Sequence, residues 1–195
     1  MPYRGSMRIV NHRLLAGCAT VLVATFALAG CVLTPAPTPS TSAATDAPVF
    51  ASDEEALAAA TEAYLAYLAA IDTVLAQGGG DTSKLADVAS GEALVAETKT
   101  AEMYAERGYR SLGSTIFDSL KLQAIDGDGD GRTLVSTYLC SDVSAVDVLD
   151  LTGASIVPSD RVDRFPLQIT FKNSEVNSTR LLISSSETWT GSNFC

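Results

Sequence analysis

The sequence predicts an α+β domain in which helices near its start pack on a curved, mostly antiparallel sheet of four or more strands. Apolar residues recur at steps of three and four between positions 53 and 77, the period of a helix. From position 114 they alternate with polar residues at the period of a strand, and turns rich in glycine and aspartate separate the runs. Helices followed by strands joined through short turns are typical of the α+β class.

The first predicted helix is long. Ser52 and Glu55 form a capping-box pattern at its start, and the helix extends to about Gln77, before three glycines. Its spacing predicts a core-facing stripe rather than a groove for a partner or cofactor. The stripe comprises Leu57, Thr61, Tyr64, Leu68, Ile71 and Leu75, widened by Leu65 and Val74.

Two shorter helices are predicted next. One begins near Asp81 and passes through Leu85 and Val88, and the other follows Ser90, from Gly91 to about Arg107. Its expected inward positions are Leu94, Ala101, Met103 and Tyr104.

The later half predicts strands joined by turns. The segment Asp126–Gly131 is a turn sequence between two runs that form a hairpin. The expected strands are 120–124, Thr133–Leu139, Val143–Leu151, Phe165–Phe171 and Thr179–Trp189.

The segment before residue 31 fits a secretory signal, with Met1 or Met7 as its start. Arg8 and Arg13 precede an uncharged stretch from Leu14 to Ala29. The following Leu28-Ala29-Gly30-Cys31 resembles the lipobox of bacterial lipoproteins. This resemblance implies a signal peptide over residues 1–30, lipidation of Cys31, and attachment to the outer face of the cell membrane.

Two other interpretations of this segment are weaker. A membrane-spanning helix needs roughly 20 apolar residues, and the run here is shorter, with no basic cluster after it. Cys18 ends a similar tetrapeptide, but no apolar segment precedes it.

Residues 31–50, rich in proline, threonine and serine, predict an extended tether to a domain at 51–195.

Charge limits the class of partner. Three of the 13 basic residues and none of the 23 acidic residues precede Cys31, so the chain from Cys31 carries ten basic and 23 acidic residues, a net charge of −13. Nucleic-acid binding needs clustered lysine and arginine, so no nucleic-acid partner is expected. Anionic lipid headgroups would also repel this chain, which leaves the lipid on Cys31 as its membrane contact.

Two cysteines remain once Cys18 leaves with the signal peptide and Cys31 carries lipid. Cys140 and Cys195 form an even pair in an oxidising compartment, and we expect a disulfide. A metal or redox pair is less favoured because it needs further ligands or a Cys-x-x-Cys spacing.

The domain resembles small actinobacterial secreted lipoproteins with an NTF2-like (cystatin-like, SnoaL-like) fold. The resemblance lies in the order of elements and in the terminal Trp189-x-Gly191-x-x-x-Cys195, whose cysteine is the counterpart of Cys140 at a strand end. This resemblance covers roughly residues 52–195. It implies a cone-shaped cavity against the sheet, and it implies no particular reaction.

Few residues suggest chemistry. The single histidine, His12, lies in the predicted signal peptide, so no imidazole remains for a catalytic triad or a metal site. Glu187, beside Trp189, is the one acid–base candidate. The preferred alternative is that Glu187 is simply a solvent-exposed residue at the end of a strand. Asp126, Asp128 and Asp130 match the first half of a calcium loop, but Thr137 stands where a bidentate glutamate is required, so a solvated turn is preferred.

The sequence therefore supports three functional hypotheses. The first is a membrane-tethered, non-enzymatic binding or accessory module, with a small molecule or a cell-envelope protein as partner and no cofactor. The second is a SnoaL-like enzyme that uses carboxylates on a small hydrophobic molecule. The third is a weak calcium-binding surface protein. The oligomeric state is left open between monomer and dimer.

Overall fold

A computed structural model describes residues 48–195. The predicted signal peptide, Cys31 and nearly all of the predicted tether lie outside these residues. The described elements are α1 (Asp53–Ala76), a 3₁₀ turn (Leu85–Asp87), α2 (Gly91–Arg107), β1 (Arg110–Leu112), β2 (Ile116–Gly127), β3 (Thr133–Asp142), β4 (Asp147–Leu149), β5 (Arg164–Asn173) and β6 (Leu181–Thr188).

Helix α1 has the predicted ends. The N–H of Glu55 donates to Ser52 Oγ at 3.2 Å, and Glu55 Oε2 in turn accepts from the N–H of Ala51 at 2.7 Å. At the other end, the N–H groups of Gly78 and Gly79 donate to the carbonyls of Leu75 and Val74. This is a Schellman motif, which satisfies carbonyls that the end of a helix leaves free.

The face that α1 buries differs in part from the predicted stripe. Ala56, Ala60, Tyr64, Tyr67 and Val74 are its buried residues. The prediction that Leu65 faces inward is wrong, because its side chain is 55% exposed. The helix is apolar on nearly every side, so hydrophobicity alone does not select the buried face. The alanines and tyrosines that it buries belong to one core cluster with residues of the sheet.

The second predicted helix is only a 3₁₀ turn, so the described part of the chain contains two α-helices. Leu85 in this turn is fully buried in a small cluster with Val74 of α1 and Ala101 of α2. Helix α2 has the predicted bounds and ends at Gly108, whose φ of +67° suits glycine. Met103 was expected to face inward, but it is 37% exposed.

Four strands form one antiparallel sheet in the order β2-β3-β5-β6. On its inner face, which packs against the two helices, Val135, Phe171 and Ile183 form a row across three strands, and all are fully buried. The α+β prediction and the antiparallel sheet are thereby confirmed.

The predicted strand Val143–Leu151 is much shorter. Strand β4 has three residues and pairs with β1 in a separate two-stranded sheet, with Ser111 opposite Val148. Asp147 and Asp150, on either side of Val148, accept hydrogen bonds within the loop, which explains why the ladder ends so soon.

The outer face of the sheet, opposite the helices, carries the C-terminal tail. Cys140 and Cys195 are joined by a disulfide with 5.6 Å between their Cα atoms, as predicted. Arg164 pairs with Asp118 at 2.7 Å and donates to the carbonyl oxygen of Cys195. The tail is therefore held both covalently and by a charged hydrogen bond.

Candidate functional site

The exposed side of α1 is unusually apolar. The exposed positions of α1 between residues 58 and 73 recur at steps of three and four, so they share one side of the helix, which we call the outer ridge. The outer ridge comprises Ala58, Glu62, Leu65, Ala66, Ala69 and Thr73. Only one of these six residues is charged. Sequence periodicity did not reveal this second apolar side, although the alanine-rich composition of the helix was a usable signal.

A groove lies on each side of the outer ridge. The first, the β6 groove, has a volume of about 550 Å³ and lies between α1 and the start of β6. Its floor is apolar, with Ala59, Ala63 and Leu181, and its polar lining includes Glu55, Glu62, Asp87 and Arg180.

The second groove, the β2 groove, has a volume of about 510 Å³ and lies between α1 and the start of β2. Leu65 and Ile116, which are 55% and 59% exposed, both line it. Phe117 and Leu68 complete the apolar lining. Both grooves thus have a size typical of binding sites, and together they place exposed apolar side chains on both sides of one helix.

Asp72 is the carboxylate of the β2 groove. Partial burial raises its pKa, while hydrogen bonds from Ser114 and the N–H of Thr115 act in the opposite direction. These bonds fix the loop before β2, so Asp72 has a structural role as well as supplying negative charge to the groove.

A third groove, of about 580 Å³, lies where the chain enters the domain. It is bounded by the segment 48–53 and by the β2–β3 turn. Phe50, one residue before the predicted domain boundary, is 5% exposed and belongs to the core. The segment before α1 is therefore packed on the domain.

A hydrogen bond between a tyrosine and a partly buried carboxylate joins the two helices. Tyr67 of α1 donates its hydroxyl to Oε1 of Glu97 on α2 at 2.5 Å. Burial raises the pKa of Glu97, and burial together with the nearby Glu97 carboxylate raises the pKa of both Tyr67 and Tyr64. Sequence pattern does not single out Glu97, because its neighbours along α2 suggest an exposed helix position.

The space where an NTF2-like cavity is expected is filled by side chains. Tyr64 and Phe171 are 2% and 0% exposed, and Leu68 packs against the same core. The Tyr64 ring meets Phe117 edge-on, with 4.8 Å between the ring centroids.

Glu187 does not share a face with Leu181 and Ile183, although uninterrupted alternation along the last strand would place all three on one face. A bulge in β6 lets Phe171 pair with Ile183 while the preceding Thr170 pairs with Ser185. After this extra residue the faces are exchanged, and Glu187 lies opposite Gln168 on the outer face, exposed to solvent. Trp189 likewise contacts Tyr138 of the outer face, with 4.7 Å between the ring centroids.

The three aspartates of the β2–β3 turn are not equivalent. Asp128 Oδ1 accepts from the N–H groups of Asp130 and Arg132, and its Oδ2 pairs with Lys172 at 2.6 Å. The hydrogen bond from Lys172 is the main reason that the pKa of Asp128 falls to about 2. Within residues 48–195, no three histidine, cysteine or acidic side chains are grouped so as to hold a metal ion.

One described helix, α1, is long and apolar enough to cross a membrane by length and mean hydropathy alone. The core helix of a folded domain meets the same criterion. Tyr64 and Tyr67 place α1 in the core of this domain.

Comparison with known proteins identifies no family, since no family description and no curated protein matches the chain. Among solved structures, a crystal structure of the intermembrane space region of the chloroplast protein ARC6 is similar, with a TM-score of 0.48 and 14% sequence identity. The match covers 68% of this chain and 95% of that one. At this level of similarity it carries no inference about family or function.

Proposed function

We propose that this chain is a lipid-anchored extracytoplasmic module that binds another cell-envelope protein through the outer ridge of α1. The observation that supports the binding role is the apolar ridge between two open grooves, on a helix whose opposite side is in the core. Exposed apolar surfaces of this kind on a folded domain are characteristic of interaction sites. The lipobox resemblance and the segment rich in proline and threonine support the anchored location.

A binding role fits the described residues better than the two alternatives. A SnoaL-like enzyme needs a deep pocket with a catalytic carboxylate, whereas Tyr64 and Phe171 fill the expected cavity and Glu187 is exposed on the other face of the sheet. Calcium binding at the β2–β3 turn would have to displace Lys172 from Asp128. We also propose that the domain is NTF2-like, which is supported by two helices packed on one face of an antiparallel sheet.

Anchoring is tested by growing cells with a labelled fatty acid. We expect the chain to incorporate label and to fractionate with membranes, and the variant Cys31→Ala to lose both properties. Cys18→Ala is the matched control and should keep the label. Retention of label in Cys31→Ala would refute anchoring at this residue.

The binding role is tested by placing a photo-crosslinking amino acid at position 65 in the anchored chain in cells. We expect a discrete protein adduct, because Leu65 lies at the middle of the outer ridge. The control position is 95 on α2, where Val95 is 69% exposed but lies outside both grooves. If the two positions give the same adducts, or position 65 gives none, the proposed binding surface is wrong.

A further inference from the structure

The charge around the outer ridge is strongly one-sided. Helix α1 carries five carboxylates and no lysine or arginine. The side chains that line the two grooves include four carboxylates and one basic residue: Glu55, Glu62, Asp72, Asp87 and Arg180. Asp87 pairs with Lys84 at 3.8 Å, so the excess negative charge of this border lies on α1. The guanidinium of Arg180 donates to the carbonyl oxygen of Asp87 at 2.7 Å, so it is already engaged within the domain. An apolar strip with an acidic border therefore crosses this side of the molecule.

The shape of the strip favours a helical partner. From Ala58 to Thr73 the ridge spans fifteen steps of helix, about 22 Å at 1.5 Å per residue. Alanines at 58, 66 and 69 leave room for a second helix at the usual interaxial distance, and Leu65 stands out as the side chain that a facing groove would receive.

We propose that the outer ridge binds an amphipathic helix of a partner protein whose apolar side is flanked by lysine or arginine. This inference rests on the proposed function and adds the chemistry of the partner. The apolar side of the partner would cover Leu65 and the alanines, and its cations would lie near Glu62 and Asp72. Complementary charge of this kind speeds association and rejects partners of the wrong sign.

Other occupants fit this surface less well. In a twofold dimer formed through α1, the same patch faces itself, which would bring acidic borders of the two copies together with no basic side chain on either helix. An anionic lipid surface would meet the same repulsion. Both remain outcomes of the test and would contradict the proposal.

The test uses the full-length chain held in zwitterionic nanodiscs and two synthetic 16-residue helices with identical leucine and alanine positions. One helix has lysine at its flanking positions and the other has glutamate. Fluorescence anisotropy of each labelled peptide measures binding, and empty nanodiscs provide the reference. We expect the lysine helix to bind at least about tenfold more tightly than the glutamate helix, a difference of one decade in Kd. Its affinity should fall as salt is added.

Charge reversal provides the matched pair of variants. Glu62→Lys should weaken binding of the lysine helix about tenfold and improve binding of the glutamate helix, because an attraction at position 62 becomes a repulsion for one helix and the reverse for the other. Glu102→Lys makes the same change of net charge at an exposed position of α2 and should leave both affinities within about twofold. Circular dichroism checks that both variants fold.

The outcomes separate the two proposals. Equal affinity of the two helices, no binding of either, or equal effects of the two variants would overturn the basic-helix inference. If the crosslinker at position 65 still gives its adduct in that case, the binding surface stands and only the partner chemistry is wrong. A chain that forms dimers through α1, or that binds vesicles of anionic lipid through the ridge, would also overturn the inference.

Discussion

Removing the disulfide between Cys140 and Cys195 should destabilise the domain by about 4 kcal/mol. The bond closes a loop across a sequence separation of 55 residues. The chain-entropy relation gives an unfolded-state entropy loss of about 14 cal/mol/K for that loop, which is about 4 kcal/mol at 25 °C. The variant to compare is Cys140→Ser/Cys195→Ser, in which neither thiol is left unpaired.

Urea unfolding followed by far-UV circular dichroism measures this change. With a slope of about 2 kcal/mol per molar urea, the midpoint should fall by about 2 M. Wild type with its disulfide reduced is the control, and its midpoint should agree with that of the double variant. A loss below about 1 kcal/mol would show that loop closure is not how this bond acts, and would contradict the reasoning.

Three further predictions concern the helices. Burial raises the pKa of Glu97 above 4.5, so native protein retains a proton there that the unfolded chain releases, and stability should fall as pH rises from about 4.5 through the native pKa. The free energy of unfolding, measured across this pH range, should decline less in Glu97→Gln than in the wild type, and the amide of the variant can still accept from Tyr67. If the variant and the wild type show the same pH dependence, Glu97 is excluded as the cause. A Cβ at Gly79, where φ is +77°, would overlap the carbonyl of Ala101, so Gly79→Ala should lose about 2 kcal/mol or more in urea unfolding, and a neutral result would contradict this packing. Leu85→Ala should lose about 2–5 kcal/mol by cavity formation, and a loss below about 1 kcal/mol would mean that the turn is not part of the core.

The helix ends were predictable because they depend on neighbouring residues. Ser52 and Glu55 identify the start of α1 through capping hydrogen bonds, and Gly78 and Gly79 mark its end through their backbone freedom. Which side of α1 is buried was less predictable. Leu65 is as apolar as Leu68, and only the position of the sheet decides that one is exposed and the other packs on the core.

The face on which Glu187 lies was unpredictable for a related reason. Period-two alternation assumes an uninterrupted strand, whereas one extra residue near Ser184 exchanges the faces of everything after it. Ser184 donates its hydroxyl to the carbonyl of Thr170 at this position, a local preference that no hydrophobic pattern reports. The candidate surface on α1 is not predictable from hydrophobic periodicity, because the helix has more apolar side chains than the sheet can cover.

The position of the single tryptophan gives the domain a built-in optical reporter. The Trp189 ring packs at a tilt against Tyr138 on the outer face, and Phe194 of the tail approaches the same tyrosine with 6.0 Å between ring centroids. Its emission therefore senses whether the tail is seated, while the outer ridge lies on a helix that packs on the opposite side of the sheet. Tryptophan emission can thus follow release of the tail while the anisotropy of a labelled peptide follows occupation of the ridge in the same sample.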